Sequence, residues 1–150
     1  MTISFGIMMV SMACEEEVSQ DCLGDQANPV EQFFEGGFDA AGCRIQNIEF
    51  SSGENNFVIK NQSDYEKYVT CNNDLPNIDF DKYFILAGVY SHHQCAIFDN
   101  QSVELCDNRL KYKVKLKEQI CFKPTDVKYF TVIERKYQNL PVVFDVNFSN

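Results

Sequence analysis

The chain has no tryptophan, only two histidines and four prolines, and thirteen basic residues against twenty-two acidic ones. A net charge of −9 and a pI near 4.6 leave no basic face for nucleic acid, whose phosphates require one. There is no G-x-S-x-G, no H-E-x-x-H and no glycine-rich phosphate loop, so the common hydrolase, zinc-protease and nucleotide-binding signatures are missing. No two of the seven cysteines are nearer than eight positions apart, whereas zinc sites use close pairs such as C-x2-C. The uncharged run over residues 3–13 is too short to span a bilayer, which takes about 20 residues as a helix. Internal repeats and low-complexity tracts are also absent.

What is present begins with that run. It ends at Ala13-Cys14 and is followed at once by Glu15-Glu16-Glu17. Length and composition fit the apolar core of a secretory signal. The small residue before a cysteine resembles the cleavage site of a bacterial lipoprotein signal, in which the cysteine becomes the lipidated first residue. The resemblance implies a signal peptide over 1–13, lipidation of Cys14 and an acidic tether over 14–28. A single domain then occupies 29–150, as expected for a chain of 150 residues. Because the chain is acidic, contact with anionic membrane would come from the acyl anchor alone.

Lipidation of Cys14 leaves an even set: Cys22, Cys43, Cys71, Cys95, Cys106 and Cys121. In a small exported domain such a set reads as three disulfides. Folding a hairpin about Asp107-Asn108 sets Cys95 opposite Ile120 or, with one bulged residue, Cys121. Cys95–Cys121 is therefore expected, with Cys22–Cys43 tying the tether to the domain and Cys71–Cys106 as the remaining pair.

Two short helices are expected. One follows Asn28-Pro29 and stops at Gly36-Gly37; the other starts with a Ser63/Glu66 capping box and lines up Tyr65, Tyr68 and Val69. The rest reads as strands. "CRIQNIEF" alternates, "FVIK" is short, and "FDKYFILAGVY" is a continuous apolar run that suits a strand covered on both faces. "QCAIFD" and "SVELC" form one strand bent at Asp99-Asn100, and Asp107-Asn108 turns it into "RLKYKVKL". "EQICF", "YFTVIER" and "PVVFDVNF" complete the set. The fold class is mainly β, an antiparallel sandwich or open barrel with one or two short helices.

Three segments, "FVIKNQSDYEKYV", "NIDFDKYFILAG" and "FTVIERK", resemble the carboxy-terminal domain of protease-complex (PrcB-type) proteins and related small bacterial lipoproteins. The likeness runs from about Phe57 to Phe148. It implies a β-rich fold, an exported location and, as one functional option, regulation or inhibition of an envelope protease.

The constellations that could carry chemistry are few. "HHQC" at 92–95 sets two imidazoles near a thiol, but a cysteine in a disulfide is no nucleophile, and neighbouring strand residues point to opposite faces. The oxygen-rich stretch with Asn72, Asn73, Asp74, Asp79 and Asp81 has no glycine and is interrupted by Leu75-Pro76, unlike a calcium loop. It reads as a solvated loop, with Asp79 and Asp81 on one face of the entering strand. The sharpest pattern is Lys111, Lys113, Lys115 and Lys117 alternating with Leu110, Tyr112, Val114 and Leu116. Lysines so placed form a solvated outer face that discourages edge-to-edge aggregation, or they grip an acidic partner or anionic glycan. Neither a metal nor a cofactor is called for. The expected function is that of a cell-envelope lipoprotein whose disulfide-stabilised β-domain binds a protein or glycan partner without catalysis. A hydrolase with a site that no motif joins is the remaining alternative.

Overall fold

The computed structural model describes residues 42–48, 53–121 and 123–149. The signal segment, Cys14, the tether, the first expected helix and Cys22 lie outside the described residues. Among the described residues eight strands and one α-helix follow in the order β1 (Cys43–Ile45), β2 (Gly53–Ile59), α1 (Gln62–Tyr68), β3 (Val69–Cys71), β4 (Tyr83–His92), β5 (Cys95–Cys106), β6 (Arg109–Gln119), β7 (Thr125–Glu134) and β8 (Val142–Phe148), with a 3-10 turn at Arg135–Tyr137 before β8. They form two three-stranded sheets, β2-β4-β7 and β5-β6-β8, and a small β1-β3 pair. The fold is mainly β, sandwich-like and not a closed barrel.

β4 is the centre of the molecule. Phe84 and Leu86 point into the space between the two large sheets, where they meet Val103, Leu110, Tyr112, Val114, Leu116, Val127 and Tyr129. Ile85, Ala87 and Val89 point the other way, into a second core with Cys43, Ile45, Tyr65, Val69 and Ile78. The alternation of side chains along a strand thus sends one apolar run into two cores. That is why β4 needs a continuous run whereas β6 does not.

The second core is roofed by α1 and the β1-β3 pair. The N-cap of α1 is Asn61, whose side chain accepts from the Asp64 N–H at 2.8 Å, and not Ser63 as the capping-box pattern implied. Ser63 lies inside the helix, two residues too late to cap it. At the other end the orphan carbonyls of the helix are taken up by the β1 arm. Asn47 Nδ2 donates to Lys67 O at 2.7 Å and the Gln46 N–H to Tyr68 O at 2.8 Å. The positive φ of Asn47, 56°, ends β1 after three residues, shorter than the eight-residue strand expected there.

β5 and β6 are joined by a two-residue turn at Asp107-Asn108, both with positive φ (44° and 58°), as the favoured hairpin turn requires. Cys106 faces Arg109 and Glu104 faces Lys111, the register expected from that turn. The bulge lies on β5 at Asp99, between Phe98 and Asn100. The extra residue is therefore on the strand opposite to the one that would bring Cys121 into register, and Cys95 faces Gln119. "EQICF" is not a separate strand, since Glu118 and Gln119 are the end of β6.

One pair departs from the antiparallel expectation. β8 runs parallel to β6, because the chain leaves β6, crosses to the other sheet as β7 and returns. Polar side chains tie strands together within each sheet and, at one point, join the two sheets. Tyr129 lies beside Gly88 with its hydroxyl donating to Asn56 Oδ1, so the row Asn56–Gly88–Tyr129 across three strands is bridged by one ring. A Cβ on Gly88 would collide with that ring and with the Asn56 amide oxygen. Tyr112 donates to Gln101 Oε1, and Gln101 Nε2 donates onward to Phe130 O at 3.1 Å. Burial pushes the Tyr112 hydroxyl well above its ordinary pKa, which keeps it a neutral donor.

Candidate functional site

The disulfides bear first on what chemistry is possible. Cys43 is joined to Cys71, directly opposite it in the β1-β3 ladder, and Cys95 is joined to Cys121. Cys106 is disulfide-bonded as well. The expected pairs Cys22–Cys43 and Cys71–Cys106 are therefore corrected. The pairing of β1 with β3, which sets Cys43 against Cys71, depends on tertiary packing around α1 and leaves no local trace in the sequence. With all the described cysteines bonded, none supplies a thiolate.

The histidine pair is not split between opposite faces of a strand, as its sequence position implied. His92 is the last residue of β4 and is buried, its ring 4.7 Å from that of Phe148 and 4.4 Å from that of His93. His93 lies past the strand end, so the rule of opposite faces no longer holds and the rings approach. His92 Nε2 is 3.2 Å from a Glu118 carboxylate oxygen but out of line for a hydrogen bond. Among the described residues no group of three or more His, Cys, Asp or Glu side chains is placed to hold a metal ion. Beside Glu118 is a shallow depression of roughly 200 Å³, lined by Gln94, Glu118, Gln119, Ile120 and Cys121. It is below the ~300–1,000 Å³ usual for small-molecule sites.

The acidic stretch before β4 is also structural. Asp79 and Asp81 belong to a turn and not to the strand. Asp79 accepts from the Asp81 N–H at 3.0 Å and pairs with Lys82 at 2.9 Å, and the hydrogen bond from Lys82 holds its carboxyl below the usual range.

The lysine stripe is where the structure leaves chemistry uncommitted. Leu110, Tyr112, Val114 and Leu116 are all buried, so the alternate lysines project from the outer face of the β5-β6-β8 sheet. Residues directly opposite one another across a ladder share a face. Three rows can therefore be read across the strands: Glu104–Lys111–Val143, Ser102–Lys113–Asp145 and Asn100–Lys115–Asn147. Below them Ile97 faces Lys117.

The upper two lysines are neutralised within the face. Lys111 Nζ is 2.9 Å from Asp145, and Lys113 Nζ is 2.8 Å from Glu104, one strand across and diagonal, since Glu104 stands directly opposite Lys111. Lys111 also holds the Asp145 carboxyl below its ordinary range, chiefly through that hydrogen bond. Asn147 Nδ2 donates to the other oxygen of Asp145. The lower two lysines, Lys115 and Lys117, are exposed and have only amides or Ile97 opposite them. Ile97 is 43% exposed and Val143 40%.

The charge of the chain is unevenly distributed. Eight of the twenty-two acidic residues and none of the thirteen basic ones precede Cys43, so residues 43–150 carry a formal charge of −1. The sheet face thus belongs to a nearly neutral stretch of chain, residues 43–150, and the strongly acidic character that dominates the whole chain does not describe that stretch.

No family model, curated protein or solved structure matches this chain. No helix among the described residues is long and apolar enough to cross a membrane.

Proposed function

We propose that the chain is an exported, disulfide-stabilised β-domain, held to the cell envelope by lipid on Cys14, that binds a partner through the outer face of the β5-β6-β8 sheet. The observation that carries this reading is the split lysine stripe. Lys111 and Lys113 are satisfied by carboxylates of their own sheet, whereas Lys115 and Lys117 stand exposed beside half-exposed Ile97. A purely solvated face has no need of apolar side chains among its charges, and an interaction surface gains from both. Disulfides in all the described cysteines fit an oxidising compartment outside the cytosol. In this reading the domain recognises and does not catalyse.

The test is capture of envelope proteins on immobilised full-length protein, comparing the natural chain with a Lys115→Glu, Lys117→Glu variant. The reading requires a partner that the natural chain retains and the variant loses, with capture weakening as salt rises. Equal capture by both would make the face a solvated surface only. If the captured partner is an envelope protease whose turnover slows on binding, the resemblance to protease-complex proteins extends to function. For the anchor, labelled fatty acid should enter the natural chain and not Cys14→Ser; equal labelling would remove the lipoprotein element.

A further inference from the structure

Resting on the reading that this face binds, we infer that its lower half, Asn100, Lys115, Asn147, Lys117 and Ile97, takes an extended acidic peptide with carboxylates two residues apart. The face itself supplies the template. Each upper lysine takes a carboxylate from a flanking strand, at 2.8 and 2.9 Å. One row down, the flanking positions are carboxamides, Asn100 on one side of Lys115 and Asn147 on the other. An ammonium between two amides offers donors to an oxyanion and no charge of its own sheet to occupy it. Each amide uses one N–H internally, Asn100 toward Asp99 and Asn147 toward Asp145, and an amide nitrogen has two.

Spacing then selects the ligand. Same-face residues on one strand are about 6.8 Å apart, so Lys115 and Lys117 present two ammonium groups at that repeat. The carboxylates of an extended peptide with acidic residues at alternate positions recur at the same repeat. A residue beside them would cover Ile97.

Two further points favour a peptide over an anionic glycan. None of the residues in the rows of this face is aromatic, the exposed Phe98 standing opposite inward-facing Leu116, and sugar rings dock their C–H faces on aromatic side chains. The whole chain, at −9, repels a long polyanion, while at physiological salt a short segment with a few carboxylates feels mainly the charges within about 8 Å. Of the acidic groups of the sheet, Glu104 and Asp145 are already engaged by lysines, Asp99 at the bulge accepts from Asn100, and Glu118, next to Lys117, lies against His92.

The experiment uses full-length protein and three labelled probes at physiological salt: a short peptide with Glu at alternate positions and Val and Thr between, the same peptide with Gln for Glu, and an oligogalacturonate. Binding is read by fluorescence anisotropy for the natural chain, for Lys115→Gln with Lys117→Gln, and for Lys111→Gln as a control on the paired half. The inference requires that the Glu peptide bind, that the Gln peptide bind about tenfold more weakly, and that the double variant show the same loss, two exposed ion pairs being worth about that factor. Lys111→Gln should leave the affinity unchanged, and all three chains should keep the same thermal midpoint to within a few degrees. Oligogalacturonate binding that needs Lys115 and Lys117, with no peptide binding, overturns the peptide and spares the face. Failure of both probes, with lysine-dependent capture from envelope extract intact, does likewise. Failure of both probes together with lysine-independent capture removes the face as a binding surface and this inference with it.

Discussion

The two large sheets of this domain are built from strands of similar length yet meet their surroundings differently. The β2-β4-β7 sheet has a core on each side, the sandwich interior on one and the α1/β1-β3 layer on the other. The β5-β6-β8 sheet has a core on one side only, and its other side carries the lysine rows. Their central strands record the difference directly. β4 reads "FILAGV", apolar at every position, while β6 reads "LKYKVKLK", apolar at every second one. A strand buried on both faces has no position at which a charge can be solvated, and a strand buried on one face has such a position at every other residue. The lesson is that, of the two large sheets, only the one without a third layer over it has a face free for charged side chains.

The comparison can be broken most forcefully within the sandwich. Leu86→Ala on β4 and Leu116→Ala on β6 should each cost about 2–5 kcal/mol, since both side chains are fully buried, whereas Lys115→Ala should stay within about 0.5 kcal/mol. Chemical denaturation of the three variants checks this. A large loss at Lys115 would mean that the outer face is packed and not open. Gly88→Ala should come next, at roughly 1–3 kcal/mol, because its Cβ would meet the Tyr129 ring and Asn56 on the most crowded row of the covered sheet. A neutral result would show that the Tyr129–Asn56 bridge moves aside freely.

The smallest effect is expected from the paired half of the open face. Asp145→Asn should cost less than about 1 kcal/mol near neutral pH, as partly exposed ion pairs do. Its pH dependence has a definite sign. The folded carboxyl lies below its ordinary value of 3.8, so its contribution is complete above that pH and is lost as pH falls toward the folded value. Thermal midpoints of Asp145→Asn and the natural chain should therefore differ at neutral pH and converge in acid. A gap that persists in acid would assign the effect to packing.

Much of this architecture was legible because it is local. The alternation over residues 110–117, the Asp107-Asn108 turn and the unbroken run of β4 each follow from side-chain period or turn chemistry within a dozen residues. The bend at Asp99-Asn100 was legible too, but not its direction, because either strand can carry the extra residue of a bulge. The Cys43–Cys71 bridge and the parallel β8 depend on how distant segments pack. The N-cap at Asn61 is local, but Ser63 and Glu66 offer a competing capping pattern two residues further on. The stripe of lysines was visible in the sequence as four equivalent residues. Its division into a paired and an unpaired half was not, since Asp145 and Asn147 reach the face only through the return of the chain as β8.

The central claim is that the unpaired half of this face is the contact surface. The most direct measurement is lysine footprinting of the full-length protein, with amine acylation read by mass spectrometry before and after incubation with its captured partner. Lys115 and Lys117 should lose reactivity in the complex, while Lys60, Lys67 and Lys136, on the opposite layer and the β7–β8 connection, should react as before. Protection at any of those three with Lys115 and Lys117 unchanged would place the contact elsewhere and contradict the account.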